Sequence, residues 1–82
     1  RCTITGADLS PDGKTLVLLS YGQIWVFRNF KGNDFTSGTT ELIDLGASTQ
    51  LEAVTFLDNT TLILSDEWSG GAGMNLYTFT LY

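Results

Sequence analysis

The chain has 82 residues, 43% hydrophobic and 16% charged, a balance that suits a small soluble β-rich domain and excludes a disordered one. Nine acidic residues against four basic ones give a net charge of −5. The basic residues Arg1, Lys14, Arg28 and Lys31 are scattered, so no stripe exists to neutralise phosphates, which argues against a nucleic-acid partner. No apolar run approaches the roughly 18 residues needed to span a bilayer, and nothing resembles a signal peptide.

In chain order, residues 3–10 alternate imperfectly and are rich in β-branched and apolar types, which predicts an inner strand. Pro11-Asp12-Gly13 ends that run, because proline fixes φ and Asp-Gly tolerates the positive φ of a tight turn. Thr15–Ser20 is a continuous apolar run, as expected for a strand covered on both faces. Tyr21-Gly22 turns the chain into Gln23–Phe30, where Ile24, Trp25, Val26 and Phe27 form a third strand. A polar loop with one aromatic, Phe35, occupies 31–38. Thr39–Leu45 alternates again and makes a fourth, outer strand. After a crossing segment at 46–50, strands are predicted near 51–57, 61–66 and 74–82. Their turns fall at Asp58-Asn59 and at Ser69-Gly-Gly-Ala-Gly73. No helical periodicity of useful length appears.

The second set of strands repeats the first. Leu9 corresponds to Phe56, 47 residues on, and Leu16 to Leu62, 46 residues on. Trp25 corresponds to Tyr77 at an offset of 52, so the second copy has the longer loop before its third strand. A strand-only repeat of this length predicts an all-β, propeller-type array of antiparallel four-stranded blades. One complete blade falls in 1–46; a second, lacking its fourth strand, falls in 47–82. Together they make a fragment of one propeller domain. Two blades leave apolar faces and strand edges open, so the expected partners are additional blades from a longer parent chain or from other copies. Arg1 is not a translation start, which points to a processed or excised segment.

Ser10-Pro-Asp-Gly-Lys-Thr-Leu-Val-Leu-Leu-Ser20 with Gln23-Ile-Trp-Val-Phe27 resembles the repeat of WD40-like and TolB-type bacterial propellers. The second copy is Gln50-Leu-Glu-Ala-Val-Thr-Phe56 with Thr61-Leu-Ile-Leu-Ser-Asp-Glu67 and Leu76-Tyr-Thr-Phe79. It is similar to secreted propellers of the gluconolactonase-like, NHL-like and phytase-esterase-like groups. The whole chain looks like the C-terminal portion of secreted bacterial propellers. The resemblance implies a secreted, periplasmic or cell-surface location. It implies no single activity, because propeller repeats serve many functions.

The acidic residues Glu52, Asp66 and Glu67 form the best chemical cluster. Glu52 opens one strand and Asp66-Glu67 end its antiparallel neighbour, so a hairpin brings them to one rim. Oxygen ligands there suit Ca²⁺, which takes six to eight; the other reading is solvated rim carboxylates. In the calcium-dependent propellers that the second copy resembles, an inner-strand glutamate is a ligand. Asp8 either faces a central channel or accepts hydrogen bonds from a turn backbone. Trp25 and Tyr77, at equivalent positions, are expected to pack between blades. Tyr21 and Trp68 lie where second strands end, and either stack on a sugar or partner at the rim or cover adjacent loops. Ser69–Gly73 is a hairpin loop and no phosphate cradle, since a strand follows it where a cradle needs a helix N-terminus. Asn59-Thr60-Thr61 matches a glycosylation sequon and is also an ordinary turn. Cys2 is the only cysteine and histidine is absent, so no imidazole base, Cys/His metal spacing or catalytic triad exists. The sequence therefore supports a binding or structural scaffold that pairs with further blades. The alternatives are part of a calcium-dependent propeller hydrolase, or a fragment that self-assembles through open strand edges.

Overall fold

The computed structural model describes residues 4–20, 22–45, 51–67 and 74–81, with Glu67 and Met74 described by backbone alone. Among them are seven strands and no helix: β1 Ile4–Leu9, β2 Thr15–Ser20, β3 Gln23–Arg28, β4 Thr39–Asp44, β5 Leu51–Phe56, β6 Thr61–Glu67 and β7 Met74–Thr80. They form two antiparallel meanders, a four-stranded sheet in the order β1-β2-β3-β4 and a three-stranded sheet in the order β5-β6-β7. The all-β expectation and the strand positions hold. Cys2, Tyr21, Trp68 and the Ser69–Gly73 loop lie outside the described residues.

Local chemistry explains the tight connections. In the first hairpin Gly13 N–H donates to Ser10 O at 2.8 Å, and Ser10 N–H closes the loop on Thr15 O. Gly13 has φ +73°, a conformation that costs glycine little because it has no Cβ. The Asp12 carboxylate accepts from Ser10 Oγ at 2.6 Å and from Lys14 N–H at 2.9 Å. In the second hairpin Leu57 N–H closes on Thr61 O, while Asp58 Oδ1 gathers the backbone N–H groups of Thr60 and Thr61. This turn is one residue shorter, which accounts for the step from offset 47 to offset 46 in the sequence. Beyond β3, Lys31 and Asp34 bridge a compact loop in which Phe30 and Phe35 meet edge to face at 4.8 Å.

The two sheets share one pairing scheme. Ala7↔Leu18 and Leu9↔Leu16 in the first correspond to Val54↔Leu64 and Phe56↔Leu62 in the second. Leu18↔Trp25 corresponds to Leu64↔Tyr77. Each sheet also breaks register at the same place, between Ile4 and Gly6 and between Leu51 and Ala53; such bulges sharpen the local twist.

The sheets pack face to face through one apolar core. Val17, Leu19, Ile24 and Val26 come from the first sheet; Leu51, Val54, Leu62 and Leu64 come from the second, with Leu81 beside them. Burying residues of this size stabilises by roughly 1.5–3 kcal/mol each before entropy is counted. The faces used are opposite ones. Val17 and Leu19 are buried in β2, but the residues of β6 that correspond to them, Ile63 and Ser65, lie on the outer face. The buried β6 residues Leu62 and Leu64 correspond to Leu16 and Leu18, which are only half-buried on the outer face of the first sheet. The front of one sheet therefore meets the back of the next. The β2 run, expected to be covered on both faces, is fully covered on one, because no described residue packs a further sheet on the other.

Candidate functional site

Two regions gather polar side chains, one at each end of the sheets. The first is the rim where β5 begins and β6 ends. Leu51 pairs with Asp66 across the β5–β6 ladder, and Glu52 sits at the adjacent bulge. The hairpin thus brings Glu52 and Asp66 to one rim, as expected. Their surroundings differ. Asp66 is buried at 4% exposure, and it accepts from Tyr77 Oη at 2.9 Å and from Asn75 N–H at 3.3 Å. Glu52 is exposed. The Glu67 side chain lies outside the described set. Among the described residues no group of three or more acidic or thiol side chains is placed to hold a metal ion.

The Asp66 carboxylate raises the Tyr77 phenol above its ordinary value, chiefly through the hydrogen bond, with burial and the carboxylate charge adding to it. Tyr77 stands on the inner face of its sheet and Trp25 on the outer face of the other. The residue corresponding to Asp66 is Ser20, whose buried hydroxyl has no hydrogen-bond partner. Trp25 stands there in place of Tyr77, and the two rims are chemically unequal for that reason.

The second region is an open cleft of about 680 Å³ at the opposite end. Both tight turns and the β3–β4 loop converge on it, lining it with Asp12, Lys14, Arg28, Asn29, Phe30 and Asn59. Asn29 has φ +60°, a left-handed conformation in which asparagine is enriched. Asn59 Oδ1 accepts Asp12 N–H at 2.9 Å and ties one turn to the other, so the sequon asparagine has a structural bond. Arg28 pairs with Glu41 at 3.2 Å. The cleft is thus lined by two cations, Lys14 and Arg28, and one carboxylate, Asp12. Sequence reasoning did not find it, because its walls come from turns 47 residues apart.

Between these ends runs a seam where β1 lies beside β5. Thr5 Oγ1 donates to Leu51 O at 3.0 Å, across 46 residues of chain. Asp8 Oδ2 accepts Phe56 N–H at 2.8 Å and Thr55 Oγ1–H at 3.2 Å, across 48 and 47 residues. Gly6 lies so close to β5 that an added Cβ would sit 3.3 Å from Val54 N and 3.4 Å from Ala53 Cα. Asp8 is thus a clamp between sheets. The backbone donor is in strand β5 and not in a turn, so the turn-acceptor reading does not describe it.

Compared with known proteins, the chain matches no family model, no curated protein and no solved structure. Its functional reading rests on the geometry above.

Proposed function

We propose that this chain is a segment of a secreted or cell-envelope β-propeller that acts as a binding or structural scaffold by pairing with further blades. The seam carries the reading. Its hydrogen bonds join residues 46 to 48 apart, close to the 46- and 47-residue offsets at which the first two strands repeat. Equivalent edge strands of two similar sheets therefore run side by side, as inner strands of successive blades would. Front-to-back packing supports it further, because such contacts extend to a next unit where face-to-same-face contacts close a pair.

The experiment is a melting series on the isolated chain over a wide concentration range, with its mass measured in parallel. A scaffold segment that depends on neighbours melts broadly when dilute and gains stability as it associates. A monomer that melts cooperatively at one temperature at every concentration would contradict this reading.

A further inference from the structure

We propose that the cleft between the two tight turns and the β3–β4 loop binds a saccharide, an uncharged ring with neighbouring hydroxyl groups and an apolar face. This deepens the binding half of the scaffold reading and rests on its seam, because the walls come from both sheets. Asp12, Lys14, Arg28, Asn29 and Phe30 belong to the first, and Asn59 to the second. At about 680 Å³ the cleft falls within the roughly 300–1,000 Å³ of small-molecule sites.

The polar side chains on its wall share one arrangement: each is fixed through one atom and keeps another for a ligand. Asp12 takes both of its described side-chain hydrogen bonds on Oδ1, from Ser10 Oγ and Lys14 N–H, which leaves Oδ2. Asn59 accepts Asp12 N–H on Oδ1 at 2.9 Å and keeps its Nδ2 donors. Asn29 does the reverse, donating from Nδ2 to Thr39 Oγ1 at 3.4 Å and keeping Oδ1. Arg28 gives Nη1 to Glu41 at 3.2 Å and keeps its remaining N–H groups. Among the described residues the wall thus offers acceptors on Asp12 and Asn29 and donors on Asn59 and Arg28. A hydroxyl group both donates and accepts, so neighbouring hydroxyls satisfy such a mixed set. The first bond has already ordered each side chain, which lowers the entropy lost on binding.

The charges do not call for an ion. Arg28 is paired with Glu41, and the Lys14 charge acts on the Asp12 carboxylate two residues away. Phe30 supplies the apolar contact. It is half-buried and held edge to face against Phe35 at 4.8 Å. Its loop is fixed at both ends. Asn29 has φ +60°, and a Cβ added at Gly38 would overlap the Arg28 carbonyl oxygen. Loops positioned by a rigid scaffold are where binding residues concentrate. The C–H face of a sugar ring packs on such an aromatic while its hydroxyls reach the polar wall.

The test is an amide-shift titration of the isotope-labelled full chain with maltose, cellobiose, lactose and chitobiose. At least one should shift the Lys14, Asn29, Phe30 and Thr60 amides saturably and leave those of Asp66 and Tyr77, at the opposite rim, in place. The same sugar should raise the melting temperature, since a ligand held by both sheets stabilises their packed state. Asn59→Asp keeps the acceptor for Asp12 N–H and deletes the free donor. It should weaken binding about tenfold while the ligand-free melting temperature stays unchanged. Phe30→Leu keeps apolar bulk without the ring and should bind more weakly still. No saturable shift with any of these sugars, well above the about 1 mM of a weak site, would overturn the assignment. Equal shifts with glycerol, saturation by acetate instead, or full binding by Asn59→Asp would overturn it too. Failure of the seam is distinguishable, because it removes the contact between Gly6 and Val54 with or without sugar, whereas failure of sugar binding leaves that contact in place.

Discussion

The carboxylate of Asp8 accepts the backbone N–H of Phe56 at 2.8 Å, joining two strands that belong to different sheets. The bond satisfies an edge-strand donor that otherwise lacks a ladder partner, and Thr55 Oγ1 adds a second donor to the same oxygen. Asp8→Ala removes the acceptor and leaves a partly buried N–H unpaired, a loss expected to cost about 1–3 kcal/mol. Asp8→Asn keeps one carbonyl acceptor and should lose less. Urea unfolding of the two variants checks the order, and equal losses would remove the clamp from the account.

Close approach at Gly6 gives a second, independent probe of the seam. A glycine-to-alanine change inside a strand ordinarily gains roughly 0.5–1 kcal/mol. At Gly6 the new Cβ would press on the Val54 backbone at 3.3 Å, so Gly6→Ala should forfeit that gain. Gly6→Val should lose about 1–3 kcal/mol by overpacking. Denaturant midpoints measure both. A stabilised Gly6→Val variant would mean that β1 and β5 are further apart than described.

At the rim, Tyr77→Phe removes the hydroxyl that Asp66 accepts and should lower the urea midpoint. Because the phenol is raised in the folded protein, the folded state holds its proton when an unfolded tyrosine, near pKa about 10, has lost it. The resulting stabilisation is complete below about pH 10 and falls away as pH rises through the folded value. Tyr77→Phe should flatten that alkaline limb. Since Asp66 already accepts two donors, calcium is expected to leave the melting temperature unchanged. A rise with added calcium, lost in Glu52→Ala, would support the calcium-site reading instead.

The turn aspartates set the acid limit. Asp12 is held below the ordinary carboxylate value first by Ser10 Oγ and then by the Lys14 N–H. Asp58 is lowered first by the Thr60 N–H and further by Thr61. Lowered folded values stabilise above the unfolded value of about 4 and lose that contribution as pH falls through the folded values. Stability should therefore decline below about pH 4, and the double variant Asp12→Asn/Asp58→Asn should show a shallower decline. An unchanged acid limb would mean that other carboxylates govern it.

Strand positions were legible because alternation, the Pro11-Asp12-Gly13 turn and the Asp58-Asn59 turn are local signals. The changed offset between Leu9–Phe56 and Leu16–Leu62 even located the shortened turn. What could not be read was which face of each strand is covered. Leu18 and Leu64 are the same residue at corresponding positions, yet only Leu64 is buried, since burial depends on the neighbouring sheet. Asp8 illustrates the same limit, because its partner stands 48 residues away. Asp66 was identified as a rim acid from its strand end. Its bond to Tyr77 depends on the β6–β7 register across a loop that sequence does not fix.

Side-by-side placement of β1 and β5 underlies the scaffold reading, and nuclear Overhauser spectroscopy tests it most directly. Cross-peaks between the Gly6 Hα protons and both Ala53 Hα and Val54 H–N, with slow exchange of the Phe56 amide, are the expected result. Absence of these cross-peaks in a folded sample, together with a Phe56 amide exchanging as fast as an unstructured one, would contradict the account.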